Sequence, residues 1–263
     1  MTRSMPAVFV SHGSPMLALD ESAAHHFLKG MSDLVPAPKD ILVVSAHWET
    51  GSPRVSMAEH PETIHDFGGF PQALYEMVYP APGAPDLAGR AAGCLEQSGF
   101  EIGRDPARGL DHGAWVPLKL IYPSADVPVA QLSVQPEAGP EHHYRLGQAL
   151  RPLRDQGTLI LASGAVTHNL KAFFKNGFTR DSEAPEWVRS FAEWTAAALN
   201  EGRVDDLLGY RNRAPHAIEN HPTEEHLLPL FVAMGAASDN METERLHRSD
   251  AYGVLAMDVY AVR

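Results

Sequence analysis

The sequence predicts an α/β fold, a single domain over residues 1–263 with a mainly parallel central sheet flanked by helices on both faces. Three observations predict it. Short apolar runs recur without polar alternation, as strands covered on both sides require. Helix-patterned stretches lie between those runs, the alternation that builds such sheets. The chain, 263 residues long, is enough for one large core and carries no internal repeat, low-complexity tract or long linker that would divide it.

The elements follow in order. A strand is expected at Pro6–Val10, a helix at Ser22–Met31 and a second strand at Asp40–Ser45. A helix over Pro85–Ser98 opens on Pro85-Asp86, which suits a first turn, and Trp115–Tyr122 continues the pattern. Val127–Val134 and Thr158–Ala162 read as strands on either side of a helix at Glu141–Arg154. The last third holds helices at Glu186–Asn200 and Thr223–Met234, then strands at Glu244–His247 and Val254–Val262. The helix at Thr223 is expected to begin around Pro222, with its acids at the positive end of the dipole.

Composition narrows the function classes. The hydrophobic fraction of 44% and charged fraction of 21% describe a packed domain rather than a disordered chain. A net charge of −12 repels phosphate backbones and anionic bilayers, so neither nucleic acid nor a membrane is an expected partner. After Arg3, the apolar run Ala7-Val8-Phe9-Val10 stops at Ser11, short of a secretory leader, and a cytoplasmic protein is expected. The one cysteine, Cys94, excludes an intrachain disulfide and any Cys-rich metal site, so a bound metal must be held by His and carboxylate. No Gly-x-Ser-x-Gly and no Gly-rich phosphate loop after a strand is present, which removes support for covalent hydrolysis and nucleotide binding.

The 14 histidines carry the functional signal through their placement. His12 follows Val8-Phe9-Val10-Ser11 and His47 follows the Ile41–Ala46 run, so two parallel strands deliver imidazoles to one sheet edge, where open α/β folds bind ligands. A third strand runs through Ser163-Gly164 to His168-Asn169. Gly13, Ser14, Ser45, Ala46, Ser163 and Gly164 around them leave room for an ion and a substrate. The segment His221-Pro222-Thr223-Glu224-Glu225-His226 adds a further cluster. On a helix Glu225 and His226 would point about 100° apart, so one metal would take only one of them. Two His with a carboxylate suit Fe(II), and an all-His set suits Zn(II). His112, in Asp111-His112-Gly113-Ala114-Trp115, is a candidate for acid–base work beside such a centre. The stretch Asp66-Phe67-Gly68-Gly69-Phe70-Pro71, next to His65, reads first as a loop with two permissive glycines and second as a substrate-contacting segment. His25, His26, His60, His142, His143, His216 and His247 are assigned no chemistry.

Six ordered segments resemble the class III extradiol ring-cleavage dioxygenases, within them the 4,5-DOPA extradiol dioxygenase-like group. They are Ser11–Pro15, Ser45–Thr50, His65–Pro71, Leu110–Leu118, Ser163-Gly164 with His168–Leu170, and His221-Pro222 with Glu225-His226. The resemblance implies one divalent metal per chain, Zn(II) or Fe(II), at His12, His47 and His226, with His168 a fourth ligand or a base. Glu225 is the alternative ligand, since more distant class III enzymes use two His and one Glu. The family's C-terminal Ser-Met-Asp reads Ala256-Met257-Asp258 here, with Tyr260 retained.

The expected reaction is extradiol cleavage by O2 of a small aromatic diol that chelates the metal, with His168 or His112 taking a phenolic proton as a neutral imidazole. The alternative is a zinc hydrolase that uses a metal-bound water on an amide or ester. A metal carrier without turnover is a third reading, and the oligomeric state is left open.

Overall fold

The structure, a computed structural model, describes residues 4–263; Arg3, where the leader reading began, lies outside them. The strands are β1 (Ala7–Ser11), β2 (Asp40–Glu49), β3 (Arg54–Ser56), β4 (Gly103–Asp105), β5 (Val129–Val134), β6 (Thr158–Gly164), β7 (Thr243–His247), β8 (Asp250–Ala251), β9 (Leu255–Ala256) and β10 (Val259–Val262). Eight form one sheet in the order β4-β3-β5-β2-β6-β1-β10-β7, and β8-β9 form a separate ribbon. The centre, β5-β2-β6-β1, is parallel throughout, while β10 and β7 add antiparallel partners at one edge.

The unalternated runs pack on both faces. Phe9, Leu42, Val44 and Ile160 meet Leu87, Leu150 and Phe231 in one core layer. Their neighbours Val8, Val10, Ile41, Val43 and Leu161 meet Leu28, Trp115 and Leu118 in the other. The longer helices that cover these faces are α1 (Ala23–Gly30), α2 (Pro85–Gln97), α3 (His112–Ile121), α4 (Gly139–Leu150), α5 (Leu170–Asn176), α6 (Glu186–Asn200) and α7 (Leu228–Ala236). None of the helices among the described residues is long and apolar enough to cross a membrane.

Several boundaries differ from the sequence reading, each because of particular hydrogen bonds. The helix expected at Thr223–Met234 begins only at Leu228. The carbonyl of His226 accepts the Ala165 N–H at 2.8 Å, and Glu224 closes a turn through Leu227 N, so residues 222–227 are tied to β6 instead of continuing a helical ladder. The strand expected at Val254–Val262 breaks at Met257-Asp258, where Met257 N bonds Ser249 O and Asp258 O accepts Ser11 N. Strand β2 runs four residues past Ser45, and α3 starts at His112 instead of Trp115 because Asp111 caps it, accepting from Ala114 N.

His143, fully buried on α4, gives acid stability a measurable handle. Its Nδ1 donates to Gly139 O at 2.7 Å, so its Nε2 accepts the Gln135 N–H at 3.0 Å and the ring must be neutral. Burial is the main cause that pushes it down to about 4. A folded-state value below the unfolded 6.5 means that the unfolded chain binds the extra proton, so this contribution is full above pH 6.5 and is lost as pH falls towards 4. The loss from His143 is on the order of 3 kcal/mol. Urea midpoints of metal-free protein should fall between pH 6.5 and 4, and His143→Gln should flatten that fall by about one proton. An unchanged slope in the variant would reject the assignment.

Candidate metal centre

Parallel strands point their C-terminal ends the same way, and the first residues beyond them share one rim. His12 follows β1, and His47 sits in the last turn of register of β2, beyond Ser45, where pairing with β6 ends. His226 reaches the same rim from the 222–227 turn, held against β6 by its own carbonyl. Nε2 of His47 lies 3.0 Å from Nε2 of His12 and 3.3 Å from Nε2 of His226. The three imidazoles form one group able to hold a metal ion.

Each ring has its other nitrogen engaged. His12 Nδ1 lies 2.9 Å from Ser163 Oγ, and because that hydroxyl donates to Gly113 O, it must accept from His12. His226 Nδ1 meets Glu225 Oε1 at 2.8 Å, and His47 Nδ1 faces Asp66 Oδ2 at 3.5 Å. The acceptors on His12 and His226 assign their protons to Nδ1, and the carboxylate facing His47 Nδ1 favours the same tautomer there, so three Nε2 lone pairs converge. Lone pairs this close repel one another unless a cation lies among them, so the donor set fits a divalent metal. Burial, then the neighbouring imidazoles, hold His12 and His226 well below 6.5. His47 is pushed down to about 4, again chiefly by burial. All three are therefore neutral and available as ligands at pH 7.

The other expected residues fall around this trio. His168 is not part of it: its ring lies flat on His226, with centroids 3.5 Å apart and planes at 10°. His168, Glu225 and His226 make a second close group, and Glu225 backs His226 from its Nδ1 side. Since residues 225–227 form a turn, the helical spacing that set Glu225 against His226 does not apply. His112 stands on the rim as the first residue of α3, its ring 3.9 Å from that of His47 and 5.6 Å from that of His12.

Sequence reasoning missed the acids and hydroxyls that set these rings. Asp66, read first as a loop residue, accepts at Oδ1 from both the ring Nδ1 and the backbone N of His112, each at 2.9 Å. Burial alone would raise its carboxyl, but the bonds from His112 and the electrostatic pull of the two nearby imidazoles hold it at about 2. Asp111, wholly buried, accepts from Ser45 Oγ at 2.6 Å, Gln131 Nε2 at 2.7 Å and Arg108 Nη2 at 2.7 Å. Ser45 and Ser163, valued in sequence for their small size, act here through their hydroxyls. For Asp111 the available signal was its place next to the rim histidine His112.

Rim geometry of this kind, three imidazoles at the carboxyl edge of a parallel sheet with a further histidine beside them, defines a metal-dependent α/β enzyme. Residues 6–259 match the family described as the catalytic LigB subunit of aromatic ring-opening dioxygenase, and the chain belongs to that family. It is an aromatic ring-opening dioxygenase, as its sequence led one to expect. A 4,5-DOPA dioxygenase extradiol of Beta vulgaris is 46% identical over 258 residues, 96% of this chain and 94% of the relative. The 4,5-DOPA dioxygenase extradiol of Escherichia coli K12 is 42% identical over 88% of this chain and 85% of its own. A crystal structure of an uncharacterized protein from Escherichia coli K12 superposes with a TM-score of 0.81 at 32% identity, covering 98% of this chain and 99% of that one.

Proposed function

We propose that this enzyme cleaves a catechol in the extradiol manner, and that His12, His47 and His226 hold one divalent metal for it. The observation that carries this reading is the convergence of three Nε2 atoms within 3.0 to 3.3 Å steps at the sheet edge. A metal there supplies Lewis acidity towards the diol oxygens and, where it is Fe(II), the redox partner that O2 requires. Zn(II) matches an all-imidazole trio by ligand type but has no redox chemistry. Relatives named 4,5-DOPA dioxygenase extradiol match over most of their length, so DOPA heads the panel of diols to be tried. Family membership decides against the zinc hydrolase.

The chain's own part in the step is binding and proton transfer. His112 donates from Nδ1 to Asp66, so its Nε2 keeps a lone pair within the ring of histidines. That nitrogen takes the second hydroxyl proton of the diol, which leaves an electron-rich diolate for oxidation. Both oxygen atoms of O2 then enter the product while the ring bond beside the diol breaks. His168, stacked on His226, is the second candidate for that proton.

Oxygen uptake tests the reading. Protein stripped of metal and restored with Fe(II) should consume O2 and catechol in equal amounts and give the absorbance of an open-ring semialdehyde. Diol consumption under nitrogen would overturn it. His112→Gln should keep bound metal and lose turnover by roughly 10²- to 10⁴-fold, the range for removal of a general base. Full turnover in that variant, with a matching loss in His168→Gln, would move the role to His168.

A further inference from the structure

The geometry points to Asp66 as a positioning residue that sets two imidazoles at once, fixing the tautomer of the base His112 and the orientation of the ligand His47. One carboxylate spans both: Oδ1 is 2.9 Å from His112 Nδ1, and Oδ2 is 3.5 Å from His47 Nδ1. The inference rests on the proposed roles of His112 and His47.

The three side chains also form a group close enough to hold a second cation. Hydrogen-bond direction argues against that use. Asp66 Oδ1 already accepts the backbone N–H of His112 and its ring N–H. His112 Nδ1 donates its proton to the carboxylate, so it has no lone pair to offer an ion. A carboxylate that bonds His112 Nδ1 and faces His47 Nδ1 favours the tautomer that presents Nε2 on the other side of each ring, and for both rings that side is the histidine cluster.

The segment that carries Asp66 is fastened to the helix that carries His112. Ile64 N bonds Leu110 O at 2.8 Å, and Ile64 O accepts the indole N–H of Trp115 at 3.0 Å. Phe67 then sets its ring edge-on to His112, with centroids 5.7 Å apart, and packs against Tyr75 at 5.2 Å. Asp66 therefore arrives beside His112 on a braced stretch. A preorganised acceptor of this kind lowers the cost of holding the reactive tautomer.

The test separates positioning from chemistry by reading the rings directly. In metal-free protein, long-range ¹H–¹⁵N correlation spectra should show His112 and His47 as Nδ1–H tautomers. In Asp66→Ala the His112 signal should shift towards the Nε2–H form. With Fe(II) restored, kcat should fall about 10- to 100-fold with KM for the catechol little changed, and metal affinity should weaken over a similar range. Asp66→Asn keeps one acceptor oxygen for His112 but sets an NH2 donor against His47 Nδ1, so it should keep the wild-type His112 tautomer while metal affinity weakens as in the alanine variant. Unchanged tautomers in Asp66→Ala would overturn the proposal, as would an Asp66→Asn variant whose His112 tautomer shifts as it does in the alanine. The spectra stand apart from turnover: should His112→Gln keep full activity, the base assignment fails while the tautomer result still decides what Asp66 does.

Discussion

Replacing His12 with alanine is expected to abolish both bound metal and ring cleavage. His12 is 1% exposed and sits at the crossing of two networks, its Nε2 on His47 and its Nδ1 on Ser163. Loss of the ring leaves two imidazoles where three met, and strands Ser163 between Gly113 and an empty space. Outer partners of metal ligands typically cost 10- to 100-fold in affinity, so loss of a ligand should exceed ~100-fold. Elemental analysis of protein purified without added metal, alongside oxygen uptake, reads both effects. His142→Ala, whose ring packs on Phe100 and bonds Gln135 instead of meeting the rim histidines, should bind metal as wild type does. An alanine variant at His12 that kept full metal content would remove it from the ligand set.

The meeting of His12 with His47 was legible because strands buried on both faces announce themselves by unbroken apolar runs, and two such runs ended in histidine. Parallel pairing through β6 does the rest, since Val10 and Val43 align with Ser163 and Leu161 on its two sides. His226 was harder. Its position depends on a turn whose carbonyl bonds to β6, a long-range contact that overrides the helical signal of Pro222 and the acids that follow it. Strands β3 and β4 are three residues each, too short for periodicity to register. Asp66 was visible only as a loop acid, because what distinguishes it is a bond to a residue 46 positions away.

The same dependence on backbone contacts gives the second large effect, from a residue that has no side chain. Gly164 ends β6 between the two histidines that flank it in space: its carbonyl accepts the His12 N–H at 2.9 Å, and the next amide, Ala165 N, donates to His226 O at 2.8 Å. A Cβ at Gly164 would lie 2.1 Å from that His226 oxygen, far inside contact distance, and 3.3 Å from Pro229 Cγ. The obstacle is backbone and the first turn of α7, so it cannot swing aside as a side chain would. Gly164→Ala should therefore push the 222–227 turn off the sheet and carry His226 away from His47, whose Nε2 atoms now stand 3.3 Å apart. Overpacking of this kind costs about 1–3 kcal/mol, which in a chain of this length lowers the melting temperature by several degrees. Metal affinity and turnover should fall far more than that, about 100-fold or beyond, because a ligand displaced by an ångström is as good as lost. Calorimetry with metal titration separates the two quantities. A variant destabilised as expected yet with wild-type metal affinity would show that His226 does not depend on this contact, and would favour a ligand set that excludes it.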